Sequence, residues 1–287
     1  MTPKGHSVNN QYICPLCFNA IQDNNAKSQL TEEHVPQVSL GGKSVTLTCK
    51  NCNNSCGSSI DFYLLNTIKA IEQKTFKHGT DRNVYILHGQ KHLNASIKIK
   101  ESNDIELFVS DKNNNPNVLK YFQEDILLKD SIINVQNKNL SLNHRMFYIA
   151  LLKNAYLILF SYFGYTFLMD KYYDRLRTQI LNPNSIILPY QLCSCSNNLF
   201  YDGIYLTTDN RYRGFLIIYT LKSINYYQIM VLIPTPNVEY QCASHFFSKA
   251  NKSTINILPL PNHFDYLTDN KTIMRIKNWC YGWDLIF

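Results

Sequence analysis

Cys14-Pro15-Leu16-Cys17 stands near one end of the chain, Cys49-Lys50-Asn51-Cys52 follows farther on, and Thr31-Glu32-Glu33-His34-Val35-Pro36 lies between them. Each Cys-x-x-Cys turn presents a pair of thiolates, and zinc prefers four soft ligands arranged as a tetrahedron. A single such turn also fits a redox motif, but that motif sits in a βαβ pattern this chain lacks. Cys14, Cys17, Cys49 and Cys52 are therefore read as ligands of one structural zinc, with unligated core cysteines as the competing reading. A zinc held by four thiolates is coordinatively closed, so it supports a fold and offers no open position to a substrate. Cys56 is left over as a fifth thiol close by.

The rest of the composition sets the limits. The chain has 287 residues, of which 45% are hydrophobic, 17% charged and 13% aromatic. That is enough apolar matter for a sizeable core, and it excludes a wholly disordered chain. Only ten Gly and ten Pro occur, without a period, which excludes collagen-like and linker-dominated chains. The formal net charge is +7, a modest surplus that favours a polyanionic partner without specifying one. The start, Met1-Thr2-Pro3-Lys4-Gly5-His6, carries no apolar run, so a cytoplasmic, reducing location is expected. Nine cysteines are too sparse and too odd a number for a secreted disulfide scaffold.

The residues between and behind the knuckles are more specific. After Thr31–Pro36 come Leu40-Gly41-Gly42-Lys43, then Val45-Thr46-Leu47-Thr48, and then, behind the second knuckle, Asn53-Asn54-Ser55-Cys56-Gly57. An acidic residue and a His precede an aliphatic-Pro pair; a Gly-rich turn follows; a strand runs into Cys-x-x-Cys-Asn; a Gly comes four residues later. In this order the features resemble the HNH endonuclease family, and more closely its subclass with a four-Cys zinc, over about residues 12–75. The resemblance implies a β-hairpin followed by a helix, the ββα-metal unit. His34 would end the first strand, Gly41-Gly42 would lie in the hairpin loop, and Asn53 would open a helix continuing through Ile60, Phe62, Leu64, Leu65, Ile68 and Ile71. Residues 60, 64, 68 and 71 recur at helical spacing, so that helix has an apolar stripe to bury.

The resemblance also implies a chemistry. His34 matches the general base, a task suited to imidazole near neutral pH. Glu33 and Asn53 match the ligands of one catalytic divalent cation, Mg²⁺ or Mn²⁺, acting as Lewis acid on the phosphate. Three positions depart from the family pattern. The nearest match to its middle Asn is Ser44, its final His is Asn53, and Cys56 stands where a Lys often precedes the later Gly. Taken singly, His34 reads as a structural His and Glu33 as a solvated carboxylate. Asp61 would share a helix face with Asn53 or stand in solvent.

Beyond the first unit, Val84–Leu87, 95–99 and 105–109 read as a small antiparallel sheet, and 118–128 as a helix. His144 to Leu181 is the strongest helical stretch. Its 146–169 window is apolar enough to span a bilayer, but Lys153 and Asn154 lie inside it, so a buried core helix or a helix pair broken near Gly164 is preferred, with no membrane partner. Residues 204–208, 215–219 and 226–233 read as a meander. Cys193-Ser194-Cys195 has the wrong spacing for a knuckle, although Cys242 or His245 could complete one; small buried thiols are the alternative, and Cys280 is unassigned. His88, His92, His144 and His263 read as structural or exposed. Lys43 and Lys50, together with Lys171, Arg175 and Arg177 in a basic-aromatic helix end, are candidate phosphate contacts; Arg211-Tyr212-Arg213 repeats the theme, and a solvated helix end is the alternative.

The expected fold class is α+β. An N-terminal zinc-stabilised ββα-metal (HNH) unit, residues 1–80, precedes a larger accessory α+β domain, residues 81–287, with a long helical segment and a C-terminal antiparallel meander. The expected function is metal-dependent hydrolysis of phosphodiesters in double-stranded DNA, and the resemblance suggests a bacterial restriction or anti-phage defence setting. A partner protein or a homodimer would help one active site cut both strands. The competing readings are a catalytically silent zinc module that binds nucleic acid or protein, and an HNH-type ribonuclease.

Overall fold

In the computed structural model, the residues described are 7–8, 11–22, 29–72, 81–126, 134–138, 140–168, 170–188, 192–196, 200–207, 209–250, 256–261 and 263–282. Strands β1 (Ser7–Val8), β2 (Gln11–Ile13) and β3 (Ala20–Gln22) form a small antiparallel sheet around the first knuckle. A hairpin follows, of β4 (Leu30–Val35) and β5 (Lys43–Cys49). Its loop is built for glycine: Gly41 has φ +79°, and a Cβ on Gly42 would lie 1.3 Å from the Pro36 carbonyl oxygen. Helix α1 (Lys50–Cys56) starts directly after β5, with the Cys49 sulfur accepting the Cys52 N–H as its N-cap. A π turn over Gly57–Asp61 then leads into α2 (Phe62–Glu72).

The hairpin followed by a helix has the shape the sequence predicted, with two adjustments. The helix opens at Lys50 rather than at Asn53, because the Cys49 cap starts it one turn earlier. Of the apolar stripe, Ile60, Leu64 and Ile68 are buried, whereas Ile71 is 43% exposed.

The chain divides into two compact units, and they do not follow a boundary at residue 80. One comprises Met1–Leu65 with Asn143–Phe287; the other is Asn66–Leu142. The second contains β6 (Asp81–His88), β7 (Lys91–Ile99), β8 (Ile105–Val109) and β9 (Asn134–Asn137), antiparallel in the order β8-β7-β6-β9. The three strands read from sequence are among them. Helix α3 (Pro116–Tyr121), capped by Asn115, runs into a π turn at Phe122–Ile126, so the expected helix starts two residues earlier than read; residues 127–128 of that reading lie outside the described residues. Val84, Ile86, Leu93, Ala95, Ile97, Leu119 and Phe122 close this unit's core.

The first unit is organised around helix α4 (His144–Phe163). Asn143 caps its start by accepting the Met146 N–H, and Gly164, at φ +58°, ends it with an N–H bond to Phe160 O. Short α5 (Tyr165–Leu168) and α6 (Lys171–Leu181) follow, so the helical stretch is broken where Gly164 predicted. Helix α4 is long and apolar enough to cross a membrane, but most of it is buried inside the unit, which makes it a core helix. It packs on one side against the hairpin and the π turn, and on the other against a five-stranded antiparallel sheet. That sheet is formed by β10 (Cys193–Ser196), β11 (Gly203–Thr207), β12 (Gly214–Lys222), β13 (Tyr226–Pro234) and β14 (Ile257–Pro259), in the order β10-β13-β12-β11-β14. It contains the expected meander. Helices α7 (Cys242–Ala250) and α8 (Asn270–Tyr281) complete the unit. The architecture is α+β with antiparallel sheets.

Candidate zinc centre and the hairpin beside it

The two knuckles converge. The sulfurs of Cys14, Cys17, Cys49 and Cys52 all lie within 4.8 Å of one another, and Cys17 Sγ is 3.8 Å from Cys49 Sγ. A tetrahedron with zinc–sulfur bonds of about 2.3 Å has edges of about 3.8 Å, so the cluster fits that ion. Backbone amides support it: Cys49 N–H donates to Cys14 Sγ and Cys52 N–H to Cys49 Sγ, each at 3.4 Å. A hydrogen bond from the Cys52 thiol holds Cys14 below the ordinary thiol range, against its burial. Helix α4 braces the site from beneath, with Tyr156 Oη donating to Pro15 O at 2.8 Å. Cys193, Cys195 and Cys242 form no comparable cluster among the described residues; burial raises the pKa of all three.

The hairpin next to this cluster positions His34. A β-bulge falls between Glu33 and His34: Glu33 pairs with Thr46, while His34 pairs with Ser44, which leaves Val45 as the extra residue. His34 is half-buried and Ser44 exposed. The substitute for the family's middle Asn therefore stands directly across the ladder from the expected base. Asn53, half-buried on α1, donates through Nδ2 to Thr31 Oγ1 at 3.4 Å.

Glu33 and Asp61 have other occupations. Glu33 is 3% exposed, Thr48 Oγ1 donates to its Oε2 at 2.9 Å, and Lys153 Nζ donates to its Oε1 at 2.8 Å. The same ammonium donates to Asp61 Oδ2 at 2.5 Å. Lys153, 1% exposed, thus carries two buried carboxylates. Its burial works against the charged form, but Asp61 and Glu33 outweigh it and hold the ammonium above the ordinary lysine range. Burial raises Asp61, with Lys153 opposing. Cys56 sits in the same neighbourhood; burial pushes its thiol up to about 12, with Lys153 pulling the other way.

A divalent cation at Glu33 and Asn53 does not fit this arrangement. Both Glu33 oxygens accept internal donors, the side chain is shut off from solvent, and an ammonium already sits where a dication would be repelled. Asp61 is not the solvated helix carboxylate of the alternative reading: it ends the π turn, is buried, and accepts from Lys153.

Among the expected phosphate contacts, Lys43, Lys50, Lys171 and Arg175 are exposed. Lys50 borders a cleft with Asn19, Ile21 and Asn51 beside the zinc cluster. Arg177 does not reach the surface: it is 4% exposed, forms an ion pair with Asp174, and lies 3.9 Å over the Phe18 ring, tying α6 to the first knuckle. Tyr172 is likewise spent on structure, stacked on Tyr240 at 4.6 Å. Two residues of this region were not read as site residues in the sequence. Lys153 looked like an interruption of an apolar helix, yet a lone charge there calls for a buried counter-charge. Lys222 carried no local signal; its stem packs against Gly41.

Compared with protein-family models, curated proteins and solved structures, the chain matches none.

Proposed function

We propose that the chain is a phosphodiester-cleaving endonuclease acting on DNA, with His34 as its general base. The observation that carries this reading is the half-buried imidazole of His34, set across the ladder from Ser44 on a hairpin clamped by four thiolates. In this mechanism His34 takes a proton from a water, the hydroxide attacks phosphorus in line, the P–O3′ bond breaks, and the departing O3′ takes a proton from solvent. In this reading Ser44, across the ladder, orients the imidazole, and exposed Lys43 offsets the phosphate charge. Glu33, through Thr48 and Lys153, fixes the strand from which His34 projects. No step is assigned to Mg²⁺ or Mn²⁺, because Glu33 is closed to them. The zinc is architectural.

A second reading, a catalytically silent zinc module that binds nucleic acid or protein, draws on the same closure of Glu33. Incubating zinc-loaded protein with plasmid DNA, single-stranded DNA and RNA, with and without added Mg²⁺ or Mn²⁺, separates the two. The endonuclease reading expects nicked or linear plasmid. RNA-only cleavage would move the activity to the ribonuclease alternative, and intact substrates throughout would leave the silent module.

A further inference from the structure

We infer that the tip of the β12–β13 hairpin forms a second wall of a nucleic-acid binding groove beside His34, with Lys222 as a phosphate contact and Tyr226 as a stacking platform. The inference rests on the nuclease reading for its choice of ligand, but on separate observations for its location. Lys222 is the last residue of β12, and Tyr226, opposite it in the ladder, is the first of β13. A Cβ added to Gly41 would lie 2.7 Å from Lys222 Cβ and 3.1 Å from its Cγ and Cδ. The lysine stem therefore lies along the loop of the His34 hairpin, while the residue as a whole remains exposed.

The chemistry of the two loops is one-sided. Residues 36–44 and 220–227 contain Lys43 and Lys222 and no carboxylate of their own; the neighbouring Asp202 is engaged by the N–H and hydroxyl of Thr220. Lys43 is exposed and pairs with Val35, the residue after His34. Tyr226 is 74% exposed and pairs across the ladder with Lys222, and an exposed tyrosine ring next to a lysine is a combination that holds a nucleic-acid strand, cation on phosphate and ring on base. Packing of the Lys222 stem on Gly41 removes part of the rotamer freedom that binding would otherwise have to freeze. Residues 41 and 222 meet only through the fold.

The test is binding rather than cleavage. Wild type, Lys222→Gln (which keeps most of the stem), Lys222→Arg, Tyr226→Ala and, as a control on α8, Lys271→Gln are titrated with labelled double- and single-stranded DNA across a salt series. One lost phosphate contact corresponds to about a fivefold weaker complex at 150 mM salt and a double-strand salt slope shallower by about 0.9. Lys222→Gln is expected to behave so, Lys222→Arg and Lys271→Gln to match wild type, and Tyr226→Ala to weaken single-strand binding about fivefold or more. DNA binding unchanged in both Lys222→Gln and Tyr226→Ala overturns the groove and leaves the nuclease reading intact. Weakened binding in a chain that cleaves nothing keeps the groove and removes the nuclease. Binding of polyglutamate as tight as DNA, with the same Lys222 dependence, overturns the assignment in favour of an acidic protein partner.

Discussion

Lys153 Nζ lies 2.8 Å from Glu33 Oε1, across 120 residues of sequence, and fastens the centre of helix α4 to the strand that carries His34. One ammonium serves two carboxylates there, since Asp61 takes a second contact at 2.5 Å. Two carboxylates share one ammonium there with little access to water, so the members of the group depend strongly on one another.

Removing the cation alone should be costly. Lys153→Met leaves Glu33 and Asp61 buried without a counter-charge, and we expect a loss of about 3–5 kcal/mol in denaturant unfolding. The triple change Glu33→Gln, Asp61→Asn, Lys153→Met removes all three charges and should recover most of that. A single-variant loss below about 1 kcal/mol would mean that the pair is solvated.

The same network makes a statement about metal. Because Lys153 and Thr48 occupy Glu33, free Mn²⁺ followed by electron paramagnetic resonance should fall equally for zinc-loaded wild type and Glu33→Gln. A tight Mn²⁺ site present in the first and lost in the second would show that a dication displaces the lysine.

Zinc should be found at about one ion per chain. Cys49→Ser is expected to lose it and to unfold the first hairpin, since a structural zinc supplies much of a small unit's folding free energy. Cys193→Ser, outside the cluster, should keep full zinc content by elemental analysis.

Alkaline stability has a definite sign. Burial holds the folded Cys56 thiol up to about 12, whereas an unfolded cysteine ionises near 8.5. Its contribution is complete below about pH 8.5 and is lost as the pH rises towards 12, at no more than about 1.4 kcal/mol per pH unit. Lys153, also raised, keeps its own contribution until the pH passes the unfolded lysine value of about 10.4. Between pH 9 and 10, wild type should therefore lose roughly 1 kcal/mol more than Cys56→Ala in denaturant unfolding. Parallel losses in the two proteins would place Cys56 in solvent.

How much of this was legible in the sequence follows from the range of the interactions. The knuckles, the hairpin and the Gly41-Gly42 loop are set by neighbours within a few tens of residues, and spacing exposes them. Helix α4 and its break at Gly164 were readable because a long apolar run has few other uses. The compact units were not, because the sheet of residues 81–137 is an insertion, and β10–β14 return to pack around the same helix as the N-terminal hairpin. Glu33 was read as a metal ligand because its counter-ion lies 120 residues away. Arg177 read as surface charge because its partners, Phe18 and Tyr156, are brought to it only by the fold.

If this zinc-clamped hairpin presents a working base, His34→Ala removes it. The variant and wild type are matched for zinc content and circular dichroism, then followed side by side for plasmid nicking. Wild type should cleave, and His34→Ala should lose at least about a hundredfold, with folding and zinc unchanged. Nicking at the wild-type rate by the variant would contradict His34 as the base.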